Sequence, residues 1–326
     1  MINELSVSDV ARSLELFNLG MKLQEEAQEG RKKLQLVKEP FLRKRESVDN
    51  LVVAFGSYDP LSIAHESLFL KGLEVAGNNS ELLIVTSTNH FDKEIDLARN
   101  SAIYDRIHAL DGFASCQGNV SIALFNSPLY IDLARSIKEM YTKVNIHFVL
   151  ATDVLPKVID KAGYETRGMD ADKTLEELFE NNFIVSERRV DGNLVTLDDL
   201  KGSNSYLNFN SEKLKAISLD GKYARLKIPI KDVSSTLIRT KRIFGEDASN
   251  LVAVGISDFI DKRGLYLKNT MHYVAFTYAR ERFARENTGK PIATYIDKLM
   301  IHLNNLSLRK DLQEKEISMY AMSRSK

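Results

Sequence analysis

The sequence contains no tryptophan and a single cysteine, Cys116, in 326 residues. One cysteine excludes an internal disulfide and a cysteine-based metal cluster, and it suits a reducing compartment. Net charge is also missing, because 45 Lys and Arg balance 45 Asp and Glu. That balance removes the electrostatic case for bulk nucleic-acid binding, but not for a local basic pocket. No apolar run is long enough to span a bilayer, and the first residues are polar and acidic without the apolar stretch of a signal segment. The six histidines show no ligand spacing, so no tightly held transition metal is expected. These absences lead to the expectation of a soluble cytoplasmic protein with neither membrane nor nucleic-acid partners. What is present is a hydrophobic fraction of 44%, enough for a substantial core. The length suits roughly two domains.

Three textures follow one another along the chain. Residues 1–46 read as a helical extension. Val10, Leu14, Phe17 and Met21 recur at helical spacing after a candidate N-cap at Ser8, and Gly30 interrupts the pattern. The run Arg43-Lys44-Arg45 reads as a solvated linker face. From residue 47 apolar strands alternate with helices. The expected strands are Leu51–Phe55, Glu81–Thr86, Val120–Phe125, Asn145–Leu150, Phe183–Val185 and Tyr223–Ile230. Helices are expected over Ile63–Ala76, Ser101–Phe113, Tyr130–Tyr141 and Thr174–Asn181. Such alternation predicts βαβ units and a mainly parallel α/β sheet. The polar stretch Val190–Gly221 breaks the rhythm and reads as an irregular insertion, a candidate lid. After Tyr266 the pattern is helical, with a stop signal at Asn287-Thr288-Gly289-Lys290-Pro291. Residues 268–326 therefore read as a helical hairpin, a candidate surface for a homo-oligomer.

Two distant segments carry the chemistry. In the first, Leu51–Phe55 reads as a strand buried on both faces. Gly56 permits a sharp turn and close approach of a ligand. Ser57, Tyr58, Asp59 and Pro60 complete the turn, Ser62 can cap the following helix, and His65 lies one turn on. A helix start favours an anion, and an imidazole there could stabilise charge on a reacting phosphate. A histidine near a helix start is by itself more often structural; the strand, glycine and Asp-Pro turn before it favour function. Asp59 also has a plain role as a turn former.

In the second segment, Asp232-Val233 lead to Ser234, Ser235 and Thr236, then Leu237, Ile238 and Arg239. Hydroxyls and free N–H groups at a helix start make an anion site, and Arg239 lies one turn beyond Ser235. Alone, this would read as an ordinary capped helix with a surface arginine.

The first segment resembles the signature of the nucleotidylyltransferase superfamily, Gly-x-(Phe/Tyr)-Asp-Pro-x-(His/Thr)-x-Gly-His. Gly56, Tyr58, Asp59, Pro60 and His65 match, while Ser62 stands for His or Thr and Ala64 for Gly. Val233–Arg239 is similar to the Ile-Ser-Ser-Thr-x-x-Arg motif of the adenylyltransferase branch, especially the nicotinamide and nicotinate mononucleotide enzymes. The likeness continues through Leu251-Val252 and Phe259–Leu267, so that it covers about residues 48–267. Weaker matches fall in order at Arg106, at Ala151-Thr152-Asp153 and at Arg188, with Lys93 a looser candidate for a phosphate contact.

The resemblance implies a Rossmann-like doubly wound sheet over residues 47–267 and an ATP-dependent adenylyltransferase of NAD biosynthesis. In that reading an acceptor phosphate, best guess nicotinamide or nicotinate mononucleotide, attacks the α-phosphorus of ATP and pyrophosphate leaves. His65, Ser62 and Arg239 would be catalytic. Gly56, Ser57, Tyr58, Asp59, Asp153, Ser234, Ser235 and Thr236 would bind ATP and its phosphates. Mg²⁺ would ride on the phosphates with no protein-held metal. With no tryptophan to stack on a base, Tyr164 or an aromatic of the insertion would have to serve. Two alternatives stay open: adenylyl or cytidylyl transfer to another phosphorylated acceptor, such as phosphopantetheine or a sugar phosphate, and a non-catalytic nucleotide-binding regulator.

Overall fold

The strand Asn50–Phe55 sends Leu51 and Val53 to one side and Val52 and Ala54 to the other, and all four are fully buried. A strand of this kind needs helices on both faces, and the whole architecture follows from that demand. The computed structural model describes residues 6–40, 47–88, 101–141, 143–190, 192–219, 229–267 and 271–308. Its first elements are helix α1 (Val7–Gln28), strands β1 (Leu34–Lys38) and β2 (Asn50–Phe55), helix α2 (Ile63–Ala76), strand β3 (Ser80–Ser87), helix α3 (Ile103–Gln117) and strand β4 (Val120–Phe125). Helix α4 (Tyr130–Met140) and strand β5 (Asn145–Ala151) come next, then the short helices α5 (Leu155–Val158) and α6 (Lys161–Glu165), helix α7 (Ala171–Leu178) and strand β6 (Asn182–Ser186). A hairpin of β7 (Arg188–Val190) and β8 (Asn193–Val195), helices α8 (Leu197–Ser203) and α9 (Ser205–Phe209) and strand β9 (Leu214–Ile217) follow. Helices α10 (Ser235–Ile243), α11 (Ser257–Arg263), α12 (Met271–Glu286) and α13 (Ile296–Leu308) complete the described chain.

The central sheet has seven strands in the order β1-β4-β3-β2-β5-β6-β9. Every pairing is parallel except β1 with β4. The parallel part has the classical doubly wound order, so the fold is α/β and Rossmann-like. Helices α2 and α3 pack on the face of Val52 and Ala54, while α4 and α7 pack on the face of Leu51 and Val53. The winding direction therefore reverses between β2 and β5. Beyond that point, outside the carboxyl ends of the strands, such sheets leave a crevice.

Three expectations are corrected. Residues 34–38 lie in the stretch read as helical, yet they form β1, the antiparallel edge strand. The reason is a distant partner: β4 supplies the ladder, Asn126 Oδ1 accepts from the Lys33 N–H, and Arg12 donates to the Val37 carbonyl. Helix α1 is capped by Ser6 rather than Ser8, because Ser6 Oγ accepts from the Asp9 N–H and donates to its carboxylate. The stretch 190–221, read as irregular, contains β8, α8, α9 and β9, and β9 fills the sixth parallel position through its pairing with β6. Most of the expected strand Tyr223–Ile230 lies outside the described residues, and Ile230 itself belongs to a 3-10 turn, Ile230–Asp232. The run 43–45 also lies outside them.

The terminal helices share the core of the sheet. Val10, Leu14 and Phe17 of α1 and Phe276 and Ala279 of α12 belong to the same buried cluster as Val52 and Ile84. Beneath it sits a buried ion pair. Arg280 of α12 donates from both terminal nitrogens to the Asp105 carboxylate of α3, at 3.0 and 2.9 Å. Tyr273 Oη donates to the same carboxylate at 2.9 Å and accepts from the Ala102 N–H at 2.7 Å. Burial alone would raise the Asp105 pKa; the Arg280 and Arg263 guanidinium groups hold it below its ordinary value.

Removing one partner of such a pair strands the other in a medium that solvates it poorly. Arg280→Ala is expected to destabilise the protein by about 3–5 kcal/mol in urea unfolding, with Arg280→Lys losing less because it keeps the charge.

Candidate active site

The β2–α2 turn builds the wall of the site. Phe55 ends the strand and the Gly56 N–H donates to the Val85 carbonyl. A Cβ on Gly56 would sit 3.0 Å from the Tyr58 ring, so glycine suits this packing. Tyr58 itself adopts φ +46°, unusual for a non-glycine residue. Its ring packs edge-on against His65 at 5.4 Å and Phe69 at 5.8 Å.

Ser62 caps α2, and its cap defines the state of His65. The Ser62 Oγ accepts from the His65 N–H. His65 Nδ1 in turn faces the Ser62 N–H at 3.1 Å and the Ser62 hydroxyl at 2.8 Å. A backbone N–H can only donate, so Nδ1 is an acceptor and carries no proton. The neutral ring therefore holds its proton on Nε2, as a donor. Burial, with a smaller contribution from the positive charge of Arg188, pushes the pKa of His65 down to about 4. The Ser62 hydroxyl, expected to contact phosphate, is instead fully buried and engaged by the imidazole.

Asp59, expected to contact phosphate, is engaged inside the protein. It is buried, and its Oδ1 accepts from the Ser101 N–H at 3.1 Å, the Ser101 hydroxyl at 2.6 Å and the Tyr266 hydroxyl at 2.6 Å. Its Oδ2 lies 3.4 Å from Arg106. Arg106 donates twice to the Ser101 carbonyl and once, at 2.6 Å, to Ser57 Oγ. Both residues thus brace the turn. Ser57, by accepting from Arg106, keeps its own proton to donate.

The second segment docks onto the first. Ser234 caps α10 by accepting from the Leu237 N–H. The Ser235 hydroxyl donates to the Pro60 carbonyl at 2.8 Å. Arg239 donates to the Asp59 carbonyl and to Thr236 Oγ1. Downstream, the Ala253 N–H donates to the Leu61 carbonyl and the Val254 N–H to Glu66. The two junctions, roughly 180 residues apart in sequence, are in direct contact.

Two adjoining cavities open beside this wall. The first, about 260 Å³, is lined by Gly56, Ser57, Tyr58, His65, Ala151, Asp153 and Arg188 among others. It includes side chains not foreseen from sequence: Tyr130, Ser186, Glu187 and Lys231. Glu187 adjoins Arg188 and Lys231 immediately precedes the second motif, which is the only local signal either had. The second cavity, about 1070 Å³, shares Phe55, Gly56, Ser57, Tyr130 and Val154 with the first and adds Lys157, Asp160, Tyr164 and Arg167. Asp59, Ser62, Arg106, Ser234, Ser235, Thr236 and Arg239 line neither cavity. Lys93 lies outside the described residues. Charges in the first cavity are paired: Arg188 Nε lies 3.8 Å from Asp153 Oδ2, and Lys231 Nζ 3.7 Å from Glu187 Oε1. Among the described residues no group of three or more His, Cys, Asp or Glu could hold a metal ion. None of the described helices is long and apolar enough to cross a membrane.

The His65 pKa generates a stability prediction. The folded value of about 4 lies below the ordinary 6.5, so the folded state binds fewer protons between those limits. Stability is full above pH 6.5, falls as the pH drops towards 4, and levels off below it; the loss is on the order of 3 kcal/mol. Comparing unfolding free energies of the wild type and His65→Gln across pH 4–8 isolates this slope, and the His65 ring signals in NMR should not titrate above pH 5.

No family model and no curated protein matches the chain. Among solved structures, it is similar to Plasmodium falciparum nicotinic acid mononucleotide adenylyltransferase in its complexes with APC and with NaAD. Identity is 19% in both, over 67% of this chain and 97% of that one, with TM-scores of 0.42 and 0.45.

Proposed function

We propose that the chain is an ATP-dependent adenylyltransferase. The observation that carries this reading is that two cavities share one wall, Gly56–Ser57, with the His65 ring on the first of them. A nucleoside triphosphate in the first cavity and an acceptor in the second would meet at that wall. An acceptor phosphate oxygen would attack the α-phosphorus in line, the bond to the β-phosphate oxygen would break, and pyrophosphate would leave. Such transfers need alignment and charge stabilisation more than covalent help.

The residues suit those tasks. Neutral His65 offers Nε2–H to a non-bridging oxygen, whose charge grows in the transition state. Ser57 offers its hydroxyl proton, since Arg106 occupies its lone pair. The start of α10, which docks on the Asp59–Pro60 turn beside the first cavity, is a second candidate for phosphate contact by the resemblance. Arg239, resting on a carbonyl and a hydroxyl, can exchange these neutral partners for the β- and γ-phosphates. Lys157 and Arg167 outnumber Asp160 in the second cavity, which favours an anionic acceptor. Tyr164 is buried there and donates to the Val158 carbonyl, leaving its ring as wall. A nicotinamide or nicotinate mononucleotide acceptor follows the sequence resemblance. Mg²⁺ would enter on the triphosphate, where it screens phosphate charge.

Pyrophosphate release from ATP is to be measured with nicotinamide mononucleotide, nicotinate mononucleotide, phosphopantetheine and a sugar phosphate as acceptors. His65→Ala is expected to lower kcat about 10²–10³-fold with little change in KM, as for loss of another charge-stabilising donor. Arg239→Ala is expected to raise KM for ATP. Triphosphate binding without pyrophosphate release from any acceptor would overturn the enzymatic reading and favour a regulator.

A further inference from the structure

The first cavity has a direction. Its phosphate end is set at β2, where Gly56, Ser57 and His65 lie. From there it crosses the end of β5, at Ala151 and Asp153, to the end of β6, at Ser186 and Glu187. Adjacent strands are about 4.8 Å apart, so β2 to β6 spans about 10 Å. That is the reach of a nucleotide from its α-phosphorus through the ribose to the far edge of the base. With a phosphate at β2, a ribose would lie near Asp153 and a base near Glu187; Ala64, Leu68 and Val149 add apolar lining to the same cavity.

Glu187 is held ready there. Its Oε1 accepts from Ser218 Oγ at 3.2 Å and lies 3.7 Å from Lys231 Nζ. Both contacts fall on the same oxygen. Oε2 has no hydrogen-bond partner among the described residues, and the side chain is 19% exposed. A carboxylate oxygen only accepts. It therefore matches the exocyclic N–H of adenine or cytosine and repels the carbonyl that hypoxanthine, guanine or uracil places at the same edge.

We infer that Glu187 selects the base, admitting nucleotides whose base carries an exocyclic amine and rejecting those with a carbonyl in its place. The inference rests on the reading of this cavity as a nucleotide site. Glu187 is a specificity residue in it, anchored by Ser218 and Lys231, with no part in the phosphate chemistry.

Calorimetric titration of the full chain with ATP, CTP, ITP and UTP tests this. ATP and ITP share phosphates, ribose and ring shape, and they differ at the edge that Glu187 would read. The wild type is expected to bind ATP at least about tenfold more tightly than ITP, the scale of one charge-assisted hydrogen bond gained against one acceptor clash. The better of ATP and CTP should exceed UTP in the same way, and their order identifies which amine the site takes. Glu187→Gln, whose amide both donates and accepts, should bring ATP and ITP to within about threefold of each other. Equal binding of ATP and ITP by the wild type overturns the role of Glu187 while leaving the nucleotide site standing. An unchanged ratio in the variant does the same. Binding of no triphosphate at all overturns both readings. The wild-type ratio decides the matter by itself if the variant fails to fold.

Discussion

The carboxylate of Asp59 is the interaction on which the site's geometry depends. A buried carboxylate is costly without donors, and this one finds them on two distant segments of chain. Ser101 precedes α3, Tyr266 follows α11, and Arg106 lies within α3. Meeting these partners holds the β2–α2 turn in one shape, and with it the Tyr58 backbone at positive φ. Arg106 extends the constraint to Ser57 on the cavity wall. In the other direction, Ser101 leads to Ala102, whose N–H is held by Tyr273, and Tyr273 leads to the Asp105–Arg280 pair. A continuous path thus runs from helix α12 to the cavity. Every side chain on it except the exposed Ser57 at its cavity end is buried, so those contacts are made in surroundings where leaving them unmade is costly.

The position of the site follows from the winding of the sheet. Strands β2, β5 and β6 end side by side at the reversal point, and helices begin where strands stop. Helix starts bring unpaired N–H groups, and the starts of α2 and α10 meet at the wall beside the cavities. The Ser62–His65 contact adds a second economy. The same cap that starts α2 occupies Nδ1, which leaves Nε2 as the donor and keeps the ring neutral. Arg188, on the opposite wall, works in the same direction.

Much of this was readable in the residues. The strands over 51–55 and 120–125 and the helix over 63–76 follow from continuous apolar runs, Gly and Pro punctuation and a serine cap, all of which are local. Contact between the two motifs was legible only as an implication of the resemblance, since 180 positions separate them. What escaped notice was set by distant partners. Leu34–Lys38 became a strand because β4 offered it an edge. Leu214–Ile217 became the sixth parallel strand because β6 did, despite its polar surroundings. Asp59, Arg106 and Ser62 had the residue types of phosphate ligands, and spacing does not reveal the neighbours that each of them bonds in the fold.

By itself, then, the sequence determined the alternation of strands and helices, a mainly parallel α/β sheet and the two strand-to-helix junctions, because these rest on hydrophobic period and turn chemistry within a few residues; the doubly wound order came only with the family resemblance. The tertiary structure alone decided which polar side chains face a cavity and which are consumed in bracing it. Hydrogen bonding is a competition among all groups in reach, and reach is a property of the folded chain. For that reason Glu187, Lys231, Lys157 and Arg167 line the cavities, while Asp59 and Arg106 are turned inward to hold the wall those cavities share.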